Sequence, residues 1–249
     1  MAGIARDGSL LGSVASALRA APARALITTR ALPYRFADAH IVIRELVSLA
    51  RHAGLSDKVL RLMTTLVGIE LDGYAVLVAD SQITEDNLRT ISTATPKIVP
   101  VGRYLLGITG DSRPGDILAY NWTPPVYKGA DPVQWMGKKV LPSILTAFKE
   151  NGYDPYEAVK EKDSGFDYLV AFSGNLFHIA VDLSFIKTDY GIYGLGSGGQ
   201  FALGYLYGQR NTFSPANVER HAKRAVEIAS VLDVNTHLPL QLVTQSRRD

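Results

Sequence analysis

The sequence predicts an α+β fold, a four-layer α/β/β/α sandwich of two antiparallel sheets. Three observations predict it. Apolar strand-like runs come in neighbouring pairs joined by short Gly-containing turns, so neighbours pair antiparallel. Those runs are apolar at nearly every position, which fits sheets covered on both faces. The order is strands, helices, strands, helices and a last strand, with helices left to form the outer layers.

Met1–Arg35 shows no sustained period and is interrupted by Pro22 and Pro33. Ala37–Ala53 has helical spacing at Ile41, Val42, Leu46, Leu49 and Ala50, with Asp38 as a cap and Gly54 as a stop. A short helix is expected over Ser56–Leu62. Thr64–Leu71 and Tyr74–Ala79 form a hairpin about Asp72-Gly73, a pair that tolerates positive φ. Ser81–Thr95 is polar and reads as a loop. Lys97–Val101 and Tyr104–Thr109 form a second hairpin about Gly102-Arg103, and Pro114–Tyr120 is a short helix.

Asp131 caps a helix that runs to Lys149, which Pro142 should kink or split, and Asn151-Gly152 ends it. Residues 153–166 read as a loop. Asp167–Phe172 and Leu176–Val181 form a third hairpin about Ser173-Gly174-Asn175. Asp189–Leu195 is a strand that runs into Gly194-Leu-Gly-Ser-Gly-Gly199, and Phe201–Tyr207 follows as an apolar helix. Ser214-Pro215 opens a helix to about Leu232, with Pro at its first position. His237–Thr244 is the last strand, and Gln245–Asp249 reads as a polar tail.

The 249 residues suit one large domain with an extension. A net charge of +2 hides an asymmetry: residues 1–63 carry +5, from eight Arg, one Lys and four acids, whereas residues 64–249 carry −3. Ala is denser at the start, thirteen in the first 63 residues against fourteen in the next 186, so composition breaks near Met63. The division expected is a leader over 1–63 and a folded domain over 64–249. An acidic body without a basic run argues against nucleic acid as a partner. No apolar run reaches the roughly 20 residues that span a bilayer. Met1–Phe36 is rich in Ala, Arg and Ser, superficially like a transit peptide. The absence of cysteine excludes disulfides and thiolate metal sites and fits a reducing, cytoplasmic location.

The usual catalytic signatures are missing. None of the five histidines forms an H-E-x-x-H spacing, and there is no G-x-S-x-G elbow and no Walker A. Gly194–Gly199 lacks the Lys that a phosphate loop needs. What the chain does hold is Thr64 at the head of its first hairpin. As a free N-terminus, that residue would carry a hydroxyl nucleophile and an amine base together, with no histidine required.

Six motifs follow in order: Thr64-Thr-Leu-Val-Gly68, Ala79-Asp80-Ser81, Lys97, Gly107-Ile-Thr-Gly110, Gly196-Ser-Gly-Gly199 and Asp233-Val-Asn-Thr236. Together they resemble the proteasome β-type and HslV-type threonine peptidases, members of the N-terminal nucleophile (Ntn) hydrolases, over about Thr64–Val243. Gly-Ser-Gly-Gly-Gln-Phe-Ala leans toward the HslV type. The resemblance implies an Ntn-hydrolase fold and a threonine endopeptidase with Thr64 as nucleophile. It implies Lys97 as the cation that lowers the pKa of the amine and hydroxyl, and Asp80 as the carboxylate that keeps Lys97 charged. It implies Gly110 as the oxyanion donor, and Ser197, Asp233 and Thr236 as supports of the amine and hydroxyl. Ile83, Val99 and Ile108 match positions lining an apolar substrate pocket.

The same resemblance implies homo-oligomeric stacked rings, hexameric or heptameric, acting on protein or peptide substrates. A AAA+ unfoldase or a proteasome α-type ring would be the partner, and ATP would enter only through that unfoldase. No cofactor is required for peptide hydrolysis, although a structural monovalent cation has a place near Ser230–Thr236. Met63 stands where proteasome propeptides usually end in Gly, so two routes lead to a free Thr64. One is autolysis of Met63–Thr64, the leader being a propeptide; the other is a translation start at Met63. Two alternatives use the same fold: a small-molecule amidase, and an unprocessed non-catalytic ring subunit.

Overall fold

Asp72 and Gly73 have φ of 52° and 77°, the left-handed values that a two-residue hairpin turn needs. They join β1 (Leu66–Leu71) to β2 (Tyr74–Ala79), with Leu71 opposite Tyr74. The structure, a computed structural model, describes residues 64–85, 88–91, 93–157 and 166–247. Residues 1–63, expected to be a leader with helices over Ala37–Ala53 and Ser56–Leu62, lie outside the described residues.

Next come β3 (Gln82–Glu85) and β4 (Leu88–Ile91), an antiparallel ribbon where the sequence predicts only a loop. Among the described residues the ribbon pairs with no other sheet, so no apolar alternation announces it. β5 (Ile98–Val101) and β6 (Tyr104–Gly110) pair about Gly102, with Val101 opposite Tyr104. α1 (Ser112–Tyr120) is capped by the Asp111 side chain, which accepts from the Arg113 N–H.

The helix expected from Asp131 to Lys149 is continuous but changes pitch. It begins as α2 (Pro132–Trp135), passes through a π-helical turn (Met136–Val140) and becomes α3 (Leu141–Glu150). The Leu141 N–H donates to the Met136 carbonyl, five residues back. Pro142 has no N–H and its ring crowds the carbonyl four residues before it, so the wider turn accommodates it without breaking the helix.

β7 (Phe166–Phe172) and β8 (Asn175–Ile179) turn on Ser173 and Gly174, with φ of 49° and 71°. β9 (Phe185–Ile186) is a short edge strand with no signal in the sequence pattern. β10 (Ile192–Leu195) leads into α4 (Gly199–Gln209); α5 (Val218–Leu232) and β11 (Gln241–Ser246) complete the order.

One sheet runs β10-β1-β2-β11 and the other β5-β6-β7-β8-β9, every pair antiparallel. Three apolar clusters separate four layers. Val67, Ile69, Val76 and Val78 pack against Ala222, Ala225, Val226 and Ala229 of α5. Leu66, Leu77, Leu105, Leu169 and Leu176 fill the space between the sheets. Tyr168, Val170 and Phe172 meet Ile117, Ile144 and Phe148 of α1 and α3. This is the α/β/β/α sandwich that the sequence predicts.

The sheets approach closely at Gly68, where a Cβ would lie 2.6 Å from Leu176 Cδ2 and 2.7 Å from Leu169 Cδ1. β11 is the polar clamp. Gln241 Oε1 accepts from the Ile98 N–H at 2.9 Å, and its amide donates back to the Ile98 carbonyl at 2.5 Å. Gln245, read from sequence as the start of a tail, is buried. It accepts from the Gly174 N–H at 3.3 Å and donates to the Arg103 carbonyl at 2.6 Å. Both glutamines tie one sheet to backbone of the other, a role that polarity alone does not reveal.

Candidate active site

Asp80 follows β2, and its carboxylate is fully buried, so both oxygens need partners. Oδ1 accepts from the Thr65 N–H at 2.9 Å and from Lys97 Nζ at 2.7 Å. Oδ2 accepts from the Gln82 N–H at 3.0 Å and the His237 N–H at 3.2 Å. One side chain thus gathers the start of β1, the start of β3, the residue before β5 and the segment before β11.

Lys97 is 11% exposed, and its carbonyl accepts from the Ile108 N–H at 2.8 Å, which sets it beside β6. Burial pushes the Lys97 ammonium below its ordinary pKa of 10.5. Asp80, by charge and by hydrogen bond, pulls it back up, and Asp233 adds a weaker pull in the same direction. Lys97 therefore feels both carboxylates of the site.

The second carboxylate is Asp233, just past α5. Its Oδ2 accepts from Ser197 Oγ and from Thr236 Oγ1, each at 2.7 Å, and its Oδ1 accepts from the Asn235 N–H at 3.2 Å. Thr236 Oγ1 is in turn 2.5 Å from Thr65 Oγ1. The glycines around Ser197 make this approach feasible. At Gly196, φ is 81° and a Cβ would sit 1.9 Å from the Thr64 carbonyl oxygen. At Gly198 a Cβ would sit 1.9 Å from Thr65 Oγ1 and 2.7 Å from Thr236 Oγ1. The Gly198 N–H donates to the Thr64 carbonyl at 3.5 Å. Gly198→Ala is expected to destabilise the fold by about 1–3 kcal/mol through overpacking, measured by urea denaturation. An unchanged midpoint would mean that the slot is wider than this.

The structure therefore brings Thr64, Asp80, Lys97, Ser197, Asp233 and Thr236 into one connected neighbourhood. Gly110 closes β6, two residues beyond the Lys97 contact, with φ 87°, and is exposed. Val99 and Ile108 both pack against the cluster between their sheet and the outer helices. Gly115 of α1 leaves room for Ile108, since a Cβ there would meet Ile108 Cγ2 at 2.9 Å. Ile83 stands apart from that sheet, on the β3–β4 ribbon, 36% exposed. Thr65 is the site residue that sequence reasoning passes over, and its signal was the Thr-Thr repeat itself. Among the described residues, no group of three or more His, Cys, Asp or Glu is placed to hold a metal ion, and no helix is long and apolar enough to cross a membrane.

No protein-family model and no curated protein matches the sequence. Solved structures do match the fold. Thiobacillus denitrificans BPH aligns with a TM-score of 0.56 at 21% identity, over 74% of this chain and 98% of that one. BPH in complex with epoxomicin gives 0.54 at 21% identity, over 74% and 98%. Eukaryotic HslV from Trypanosoma brucei gives 0.53 at 19% identity, over 74% and 99%. The chain therefore has the fold of HslV and BPH, a four-layer α/β/β/α sandwich.

Proposed function

We propose that this chain is a threonine endopeptidase whose nucleophile is Thr64 once its α-amine is free. The observation that supports the reading is the convergence of two buried carboxylate networks, Asp80–Lys97 and Asp233–Ser197–Thr236, on the Thr64-Thr65 head of β1. An ordinary strand start needs neither.

In this mechanism Thr64 Oγ attacks the scissile carbonyl and its proton passes to the Thr64 amine, directly or through a water. A free α-amine titrates at about 8, so a modest downward shift leaves it neutral at pH 7. The nearby Lys97 cation supplies that shift, and Asp80 keeps the lysine charged despite its burial. The Gly110 N–H receives the oxyanion, a contact worth roughly 3–4 kcal/mol in the transition state. Collapse expels the leaving amine, which takes the proton, and leaves an ester on Thr64. Water then hydrolyses the ester with the same amine as base. Ser197, Asp233 and Thr236 orient the amine and hydroxyl, and Val99 and Ile108 favour an apolar side chain before the cleaved bond.

Closed stacked rings are part of this reading, since an unconfined peptidase with little specificity would be hazardous; an ATP-driven unfoldase would deliver the chains. Epoxomicin, which is bound in one BPH structure, is the natural probe. Intact mass of the purified protein, before and after epoxomicin, should show a chain that begins at Thr64 and gains one inhibitor. A chain that retains Met63, or one that gains nothing, overturns the reading.

A further inference from the structure

Thr65 is fully buried, and all three of its polar groups are engaged at the site. Its N–H donates to Asp80 Oδ1 at 2.9 Å, the same oxygen that holds Lys97 at 2.7 Å. Its carbonyl accepts from the Asp80 N–H at 3.2 Å. Its hydroxyl lies 2.5 Å from Thr236 Oγ1. The direction of this last bond follows from the proton count. A threonine hydroxyl has one proton, and that of Thr236 goes to Asp233 Oδ2 at 2.7 Å. The proton between the two threonines is therefore the one on Thr65. The chain reads Thr65 to Thr236 to Asp233, with Ser197 donating to the same Asp233 oxygen at 2.7 Å.

Thr65 thus joins the two carboxylate networks, one through its backbone and one through its side chain. A β-strand start inside a core would ordinarily favour Val or Ile, which fill a similar volume with no hydroxyl to satisfy. The slot for this hydroxyl exists only because residue 198 lacks a side chain. Bonded at its N–H, carbonyl and hydroxyl, Thr65 has a fixed Cα. The residue before it keeps little freedom beyond its own ψ and χ1.

We propose that Thr65 is a positioning residue. Its hydroxyl, anchored on Thr236, sets the height and rotation of Thr64 relative to the Lys97 cation and the Asp233 network. The proposal rests on the reading of Thr64 as the nucleophile. Thr65 touches no substrate in this scheme, so its loss should change turnover and leave substrate binding alone.

The test compares wild type, Thr65→Val, Thr65→Ser and Thr64→Ala in the full chain as purified. Peptide hydrolysis is normalised to sites titrated with epoxomicin. Thr65→Val should lose about 10–100-fold in kcat per titrated site, the scale of an ångström-sized misplacement, with KM within about twofold. Thr65→Ser, which keeps the donor, should stay within about threefold of wild type. A purely structural role would reduce the number of titratable sites and leave kcat per site unchanged, and that result overturns the proposal. A Ser variant as poor as Val overturns it too. If Thr65→Val does not fold, Thr65→Ala carries the same comparison, since it leaves space instead of setting a methyl against Thr236. Wild type that is active and Thr64-dependent, beside an unaltered Thr65→Val, sinks only this proposal. Inert wild type that matches Thr64→Ala sinks the nucleophile reading and this proposal with it.

Discussion

Thr64→Ala is expected to take peptide hydrolysis to background, a fall on the order of 10⁴-fold or more, because the attacking oxygen is gone. Lys97, Gly110 and the Asp233 network remain, and so does the amine where Met63 is removed without the Thr64 hydroxyl; there the variant tests the nucleophile alone. Nothing in the fold should follow it down. Thr64 precedes β1, and the strand is held by its pairing with β2 and β10 and by Thr65 on Asp80. Native mass spectrometry should show the same assembly for wild type and variant. Hydrolysis retained within tenfold would transfer the chemistry to another residue and end the threonine-peptidase assignment. A monomer in native mass spectrometry, with Thr64-dependent amide hydrolysis intact, would favour a small-molecule amidase over a ring peptidase.

Lys97→Met should be nearly as damaging to turnover, by about 10²–10⁴-fold, since the cation that shifts the proton balance disappears while the apolar stem stays. Its effect on stability should be smaller. Breaking a buried pair by removal of one partner ordinarily costs about 3–5 kcal/mol. Asp80 keeps three backbone N–H donors, from Thr65, Gln82 and His237, so about 1–3 kcal/mol is expected, read from the urea midpoint. The wild-type pH profile carries the same signature. Burial lowers the folded-state pKa of Lys97 below 10.5, against the pull of Asp80 and Asp233. Below that lowered value the ammonium is charged in both folded and unfolded chains, and its burial penalty is present in full. As pH rises through it toward 10.5, the folded chain releases its proton first. The Lys97 contribution to stability therefore rises with pH in that window. Activity goes the other way, because the deprotonated amine no longer supplies the cation. An alkaline limb in kcat with an apparent pKa below 10.5, missing in Lys97→Met, is the expected result; a flat profile to pH 10.5 contradicts it.

Much of this was legible before any coordinates. Asp72-Gly73, Gly102-Arg103 and Ser173-Gly174-Asn175 mark hairpins by local conformational chemistry, and each is a hairpin in the structure, the third turning on Ser173 and Gly174 alone. Pro142 announced an irregular helix but not its form, because a π turn depends on what the neighbouring carbonyls meet. The β3–β4 ribbon and β9 escaped notice because strands of two to four residues carry little apolar periodicity. Gln245 read as the start of a polar tail because its partners are backbone groups of the other sheet. The site divides the same way. The resemblance paired Asp80 with Lys97, and the structure joins them at 2.7 Å.

By itself the sequence determined the four-layer α+β sandwich and the hairpin turns, because these depend on local propensity and periodicity; the short set of polar residues came from the resemblance of its motifs. Only the tertiary structure decided what the second threonine does. Thr65 and Thr236 are 171 residues apart in sequence, yet their hydroxyls are 2.5 Å apart across a slot opened by Gly198. No local rule links them. The link exists because sheet pairing and helix packing bring the head of β1, the glycine turn before α4 and the segment after α5 to one end of the sandwich.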